Sequence, residues 1–225
     1  DLRFVESLSK IVKTVLISDL KEINYKSHLL INGFIGFKNQ RTTNTYGTRC
    51  LLGPSYQIID QKFRKLETQT DKKFDLLTTF GGFDEKNISS TLFELLNSTN
   101  YGLKVKMVLG PVTTKWNIQR DQRTSNNKIL IANHAKDMKK EIANCRFGIC
   151  SGGITTYEFA SLKVPFAIIC QNNHQLITAN EWQKRKIAVN LGKFGIKTRS
   201  NLDSFLINGT NGIKGLASGA FVNKT

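Results

Sequence analysis

Apolar runs of strand length alternate with helix-length polar–apolar patterns along most of this 225-residue chain. Val12 to Ile17 reads as a strand, and Leu29 to Ile31 as a second, short one. Thr42 to Gly53, polar and carrying Gly47 and Gly53, reads as loop, and Pro54 to Phe63 as a short helix or extended linker. Beyond Lys73 the pattern is more regular. Strands are expected at Phe74 to Phe80, Leu103 to Leu109, Ile129 to Ala132, Phe147 to Cys150, Phe166 to Cys170 and Ala188 to Leu191. Helices are expected at Ile88 to Ser98, Met138 to Cys145, Thr155 to Leu162 and Leu176 to Lys186. Continuous apolar runs mark strands buried on both faces. Their alternation with helices points to βαβ units around a parallel sheet. Such sheets bind ligands beyond the carboxyl ends of their strands. Two of those ends here carry Gly-Gly (Gly81-Gly82 and Gly152-Gly153) and a third carries Gly110-Pro111.

A domain boundary is expected between Gly53 and Lys73. It divides the chain into residues 1–65, a partial first domain with its linker, and residues 66–225. The hydrophobic content of 40% is ordinary for a globular protein. No apolar run approaches the ~20 residues of a membrane-spanning helix, and Asp1, Arg3 and Glu6 break any leader-like stretch at the start. A soluble, cytoplasmic protein is the default expectation, with no stable membrane insertion.

Thirty-three Lys and Arg against 17 Asp and Glu give a formal charge of +16, which favours anionic partners. Of the basic clusters at Lys62 to Lys65, Lys136 to Lys140 and Lys184 to Lys186, only the first contains an aromatic residue, Phe63. No base-stacking groove is implied, and nucleic acid is not the expected partner. Cys50, Cys145, Cys150 and Cys170 form no Cys-x-x-Cys pair, and His28, His134 and His174 form no ligand cluster. They read as buried free thiols and isolated imidazoles, and neither metal nor cofactor is expected.

Three segments carry candidate chemistry. Ser151-Gly152-Gly153-Ile154-Thr155-Thr156-Tyr157-Glu158 lies between a buried strand and a helix. Glycines let backbone N–H groups approach an anion, and a helix N-terminus adds unpaired donors. Ser151, Thr155 and Thr156 offer hydroxyls, and the Glu158 carboxylate could accept from a pair of ribose hydroxyls. The plainer reading is a tight turn with a capped helix. The segment is neither a dinucleotide fingerprint nor a P-loop. Phe80-Gly81-Gly82-Phe83-Asp84, followed by Asn87 and Ser89, is a second strand-to-helix loop. It faces a substrate, or it is a plain turn with Asp84 or Asn87 as a helix cap. Gln171-Asn172-Asn173-His174-Gln175 is the third. Its amides suit sugar hydroxyls, and His174 is a candidate general base or an idle loop residue. His134 lines a base or sugar pocket or is a loop residue.

These segments, with Leu109-Gly110-Pro111 and the stretch Arg49 to Tyr56, occur in an order that resembles the UDP-sugar hydrolases of pseudaminic acid biosynthesis, also described as spore-coat polysaccharide biosynthesis proteins. That family is similar to the carboxy-terminal domain of family 28 glycosyltransferases. The resemblance implies a GT-B architecture, two Rossmann-like domains with the amino-terminal one truncated here. It implies UDP phosphates at Ser151, Gly152, Gly153, Ile154 and Thr155, ribose at Glu158, and substrate near Gly81, Gly82, Asp84, His174 and Gln175. The implied reaction is hydrolysis of a UDP-linked diacetamido-trideoxyhexose. The family's main base, a histidine in a Gly-rich loop after its first strand, has no counterpart near Asp1. A GT-B glycosyltransferase and a non-catalytic nucleotide- or nucleic-acid-binding module are the rival readings.

Overall fold

The computed structural model describes residues 2–64, 71–111 and 125–215, with side chains as far as residue 207. Residues 65–70, part of the expected boundary, lie outside these. The chain forms two compact units, Asp1–Ile59 and Asp60–Thr225.

The first unit begins with helix α1 (Leu2–Ser9), which buries none of its residues. It is followed by strands β1 (Val15–Ser18), β2 (Leu29–Asn32), β3 (Gln40–Thr43) and β4 (Arg49–Leu52). The sheet order is β1-β2-β4-β3, parallel except for the β3–β4 pair. Leu30, Cys50 and Leu52 form its small core, with Leu16, Ile23, Tyr25 and Phe37 against it. The expectation of a loop over Thr42 to Gly53 is therefore corrected. Arg49–Leu52 is an internal strand, hydrogen-bonded on both sides. Four residues alternating exposed and covered carry too little apolar signal to announce a strand, and Gly47, at φ 80°, turns the β3–β4 hairpin.

The second unit contains a six-stranded, all-parallel sheet. Its strands are β5 (Phe74–Thr79), β6 (Lys104–Leu109), β7 (Lys128–Asn133), β8 (Cys145–Cys150), β9 (Phe166–Cys170) and β10 (Ala188–Lys193). Its helices are α2 (Ile88–Asn97), α3 (Met138–Ala143), α4 (Thr155–Ser161), α5 (Asn173–Lys184) and α6 (Thr198–Gly215). The strand order β10-β9-β8-β5-β6-β7 is the doubly wound 3-2-1-4-5-6 arrangement read from the other side. The chain reverses direction of travel between β5 and β8, which are in register from Phe74↔Cys145 to Thr79↔Cys150.

Alternate strand residues feed two cores. On one side Leu76, Met107, Phe147, Ile149, Ala167 and Ile169 pack with Leu92 and Leu95 of α2 and Leu202 and Leu206 of α6. On the other, Phe166 stacks on Phe159 of α4 at 5.5 Å and meets Trp182 of α5 edge-on at 5.7 Å. Tyr157 meets the same indole at 5.1 Å. Burying each such ring contributes ~1.5–3 kcal/mol, and the edge-to-face geometry adds ~0.5–1.5 kcal/mol per pair. Gly148 lies directly beneath Phe159, whose ring occupies the space a side chain would need. This aromatic cluster seats α4, and with it the loop that precedes α4.

Candidate functional site

The two Gly-Gly loops emerge at the reversal between β5 and β8. In a doubly wound sheet this switch point is the ligand-binding position. The loops adjoin: a side chain placed on Gly81 would come within 3.9 Å of the Ser151 hydroxyl oxygen. Gly110, after β6, tucks under the Gly81 and Gly82 carbonyls, where no side chain fits. Gln171, after β9, donates its amide to Phe80 O at 3.1 Å and Phe83 O at 3.4 Å. Its own N–H donates to Gln175 Oε1 at 2.8 Å. The loops after β5, β6, β8 and β9 thus form one connected rim.

Among the described residues α2, α4 and α5 begin on that rim and α3 begins after the neighbouring β7, and their ends differ. Asp84 closes α2, its two carboxylate oxygens accepting from Ile88 N at 2.9 Å and Ser89 N at 2.8 Å. Asp137 closes α3 through Lys140 N, and Asn172 closes α5 through Gln175 N. Helix α4 has no side-chain cap. Thr156 N and Tyr157 N turn back to Gly153 O and Ile154 O. Gly153, Ile154 and Thr155 N–H groups have no protein acceptor among the described residues. An uncapped helix start preceded by two glycines offers donors to an anion. Nothing stands within 4 Å of where a Gly153 side chain would project, whereas one on Gly152 would strike Gln175 O at 2.8 Å. Gly152 therefore packs the loop against α5, and Gly153 borders open space.

The structure sorts the sequence candidates. Ser151 is buried at the rim, and Ile154 and Thr155 are at least partly exposed on it. Thr156 is not available as a phosphate donor: it is fully buried, donates its hydroxyl to Gly153 O at 2.7 Å and accepts from Trp182 Nε1 at 3.0 Å. Asp84, only 4% exposed, has both oxygens engaged by α2. Gln171 and Asn172, expected among amides for sugar hydroxyls, brace the rim and cap α5 instead. Helix α5 starts three residues before the expected Leu176, so His174 and Gln175 occupy its first turn, both half-buried. His134 lies exposed after β7 with φ 63° and donates its N–H to Leu109 O at 3.2 Å.

Glu158, in the first turn of α4, is half-buried. Burial pushes its carboxyl above the ordinary glutamate range. A hydrogen bond with Thr155 and the charge of Lys62 oppose that rise, and Asp60 adds to it. A half-dry carboxylate on an otherwise donor-rich rim is suited to vicinal hydroxyls. Thiol chemistry has no support here: all four cysteines are free and buried, and burial pushes Cys145 and Cys170 up to about 12. Sequence reading gave no role to Lys62, on the short 3₁₀ turn Gln61–Arg64. Its spacing from Glu158 carries no local signal.

Among the described residues no helix is long and apolar enough to cross a membrane, and no group of three or more His, Cys, Asp or Glu could hold a metal ion. No protein-family model matches the chain. It is 26% identical over 180 residues to the spore coat polysaccharide biosynthesis protein SpsG of Bacillus subtilis, covering 76% of this chain and 52% of that protein. It is 22% identical over 196 residues to an uncharacterized protein of Methanocaldococcus jannaschii, covering 81% of this chain and 40% of that one. The chain thus spans about half the length of the curated relatives it matches. Among solved structures it resembles Acinetobacter baumannii MurG, with a TM-score of 0.60 and 14% identity over 96% of this chain and 64% of MurG. A glycosyltransferase of kitacinnamycin matches at a TM-score of 0.50 and 15% identity, over 84% of this chain and 44% of that enzyme. Two α/β units, the first with a mostly parallel sheet and the second with an all-parallel, doubly wound one, and the likeness to these enzymes give the chain the Rossmann-like fold of GT-B glycosyltransferases.

Proposed function

We propose that the unit from Asp60 onward is the UDP-sugar-binding domain of a GT-B-type enzyme of surface polysaccharide biosynthesis, and that the enzyme hydrolyses a UDP-linked diacetamido-trideoxyhexose in a nonulosonic acid pathway. One observation carries the reading: among the described helices α2 to α5, which follow β5, β7, β8 and β9, α4 alone has no side chain accepting from its first N–H groups, and it starts at the switch point behind Ser151-Gly152-Gly153. The neighbouring ends are already satisfied by Asp84, Asp137 and Asn172. An anion on this rim therefore goes to α4. The similarity to SpsG supports the polysaccharide context.

In this reading the N–H groups of Gly153, Ile154 and Thr155 receive the diphosphate and Glu158 accepts from the ribose hydroxyls. Gly81, Gly82 and Gln175 border the sugar, with Asp84 holding the first of these loops. Water attacks the anomeric carbon as its bond to the diphosphate oxygen breaks, and UDP leaves with the electron pair. The amides stabilise the charge growing on that oxygen; a preorganised donor contributes ~3 kcal/mol in such sites. A base takes the water's proton, and His174 in the first turn of α5 is the candidate within these residues.

Calorimetric titration with UDP tests the site. Glu158→Ala and Gly153→Asp are each expected to weaken binding at least about tenfold, the first by removing charge-assisted bonds and the second by placing a carboxylate among the donors. Unchanged affinity in both rejects the assignment. Transfer of the sugar to an acceptor is the second reading, favoured by the fold shared with MurG. Incubating the full-length protein with UDP-sugar and no acceptor separates the two, since stoichiometric release of free sugar requires hydrolysis.

A further inference from the structure

The first turn of α5 is tied to both Gly-Gly loops. The space that a Gly152 side chain would need is taken by Gln175, whose O and Cβ stand 2.8 and 2.9 Å from it. Gln171, only 8% exposed at the end of β9, sends its side-chain amide to Phe80 O and Phe83 O, on either side of Gly81-Gly82. Between these contacts the helix start is closed by two bonds in opposite directions. The Gln175 N–H donates to Asn172 Oδ1 at 3.0 Å, and the Gln175 side chain reaches back to accept the Gln171 N–H at 2.8 Å. Gln or Glu at the third helical position commonly closes a helix this way. The return bond fixes the polarity of the Gln175 amide. A backbone N–H only donates, so the atom that meets it is the oxygen. Nε2 takes the other branch, with two N–H donors and no protein acceptor among the described residues. Gln175 is half-buried, so these donors are open to a ligand.

We infer that Gln175 is a specificity-determining residue of the sugar site: locked as a donor, it recognises the carbonyl oxygen of an acetamido group. The inference rests on the reading of this rim as a UDP-sugar site and names the group of the sugar that is read. An acetamido carbonyl only accepts, which complements an amide nitrogen that only donates. A hydroxyl in its place sits closer to the ring and carries a donor that Nε2 cannot satisfy. An unlocked glutamine would turn its amide to suit either group. Gln175 has lost that freedom, because turning it would set Nε2 against the Gln171 N–H and leave a backbone donor unpaired. The proposed diacetamido-trideoxyhexose is rich in such carbonyls and poor in hydroxyls.

The experiment is calorimetric titration of the full-length protein with UDP, UDP-glucose and UDP-N-acetylglucosamine. The two sugar nucleotides differ only in carrying a hydroxyl or an acetamido group at one carbon. Wild type should bind the N-acetyl sugar about tenfold more tightly than the glucose one, the scale of one hydrogen bond. Gln175→Glu keeps an oxygen for the Gln171 N–H, so it should melt with the wild type. It has no N–H to give, so the preference between the two sugars should collapse to about onefold, while its added charge acts on all three nucleotides alike. Gln175→Met loses the return bond as well, and should melt lower with the same collapse. A preference for the N-acetyl sugar that survives in both variants, or that is missing in wild type, overturns the inference. So does a loss in Gln175→Met that is equally large for UDP alone, which would send the donors to the diphosphate. Failure of the underlying reading looks different: Glu158→Ala and Gly153→Asp would then leave UDP affinity unchanged, whatever the Gln175 variants do.

Discussion

Replacing Thr156 by valine isolates the brace beneath the candidate phosphate loop. The two side chains have nearly the same shape, so the aromatic cluster keeps its volume and only the hydroxyl is lost. That hydroxyl accepts from Trp182 Nε1 at 3.0 Å and donates to Gly153 O at 2.7 Å, with Thr156 fully buried and Trp182 3% exposed. Gly153 O keeps a second donor, the Thr156 N–H at 3.1 Å. The orphan is therefore the indole N–H, a buried donor whose unmet desolvation costs ~1–3 kcal/mol. Taking ~2 kcal/mol, the melting temperature of a domain this size should fall by ~4–8 °C. Thr156→Ser keeps both bonds and loses one methyl, so its cost should stay near ~1 kcal/mol. Thermal unfolding followed by circular dichroism, with and without UDP, reads both. The reasoning is refuted if Thr156→Val melts with the wild type while its UDP affinity collapses. The hydroxyl would then serve the ligand and not the loop.

Glu158→Gln should change stability and binding in opposite directions. Because burial raises the folded-state pKa of Glu158, the fold is penalised once pH climbs above the unfolded value and the carboxylate forms. The variant should therefore melt higher than wild type at pH 7, with the difference vanishing below about pH 4, where both states are protonated. UDP affinity at pH 7 should fall about tenfold or more, the scale of one charge-assisted hydrogen bond. Gly152→Ala places a methyl against the Gln175 backbone and should shift the loop, lowering melting temperature and UDP affinity together. Gly153→Ala meets no protein atom and should leave melting unchanged while reducing UDP affinity, as titration would show. Asp84→Ala removes both capping bonds of α2 and should cost ~1–2 kcal/mol by urea denaturation.

The alternation of strands and helices from Phe74 onward was legible along the chain. Most strands there are built on short apolar runs, and α2 and α4 each bury one stripe. Both Gly-Gly loops could be placed on strand ends for the same reason. β4 was not legible, because Arg49–Leu52 is short and half-covered and exists as a strand through its two neighbours. What only the tertiary structure decided is which strand lies beside which. A parallel strand's residues report that both faces are covered but not by whom, so the reversal between β5 and β8 is absent from the sequence pattern. The same holds for polar side chains whose partners are remote. Thr156 spends its hydroxyl on Trp182, Gln171 its amide on Phe80 and Phe83, and Lys62 its charge on Asp137. Local sequence sets the propensity to turn, cap and bury. Hydrogen-bond capacity is shared across space, and folding alone determines which donors at the α4 start remain for a ligand.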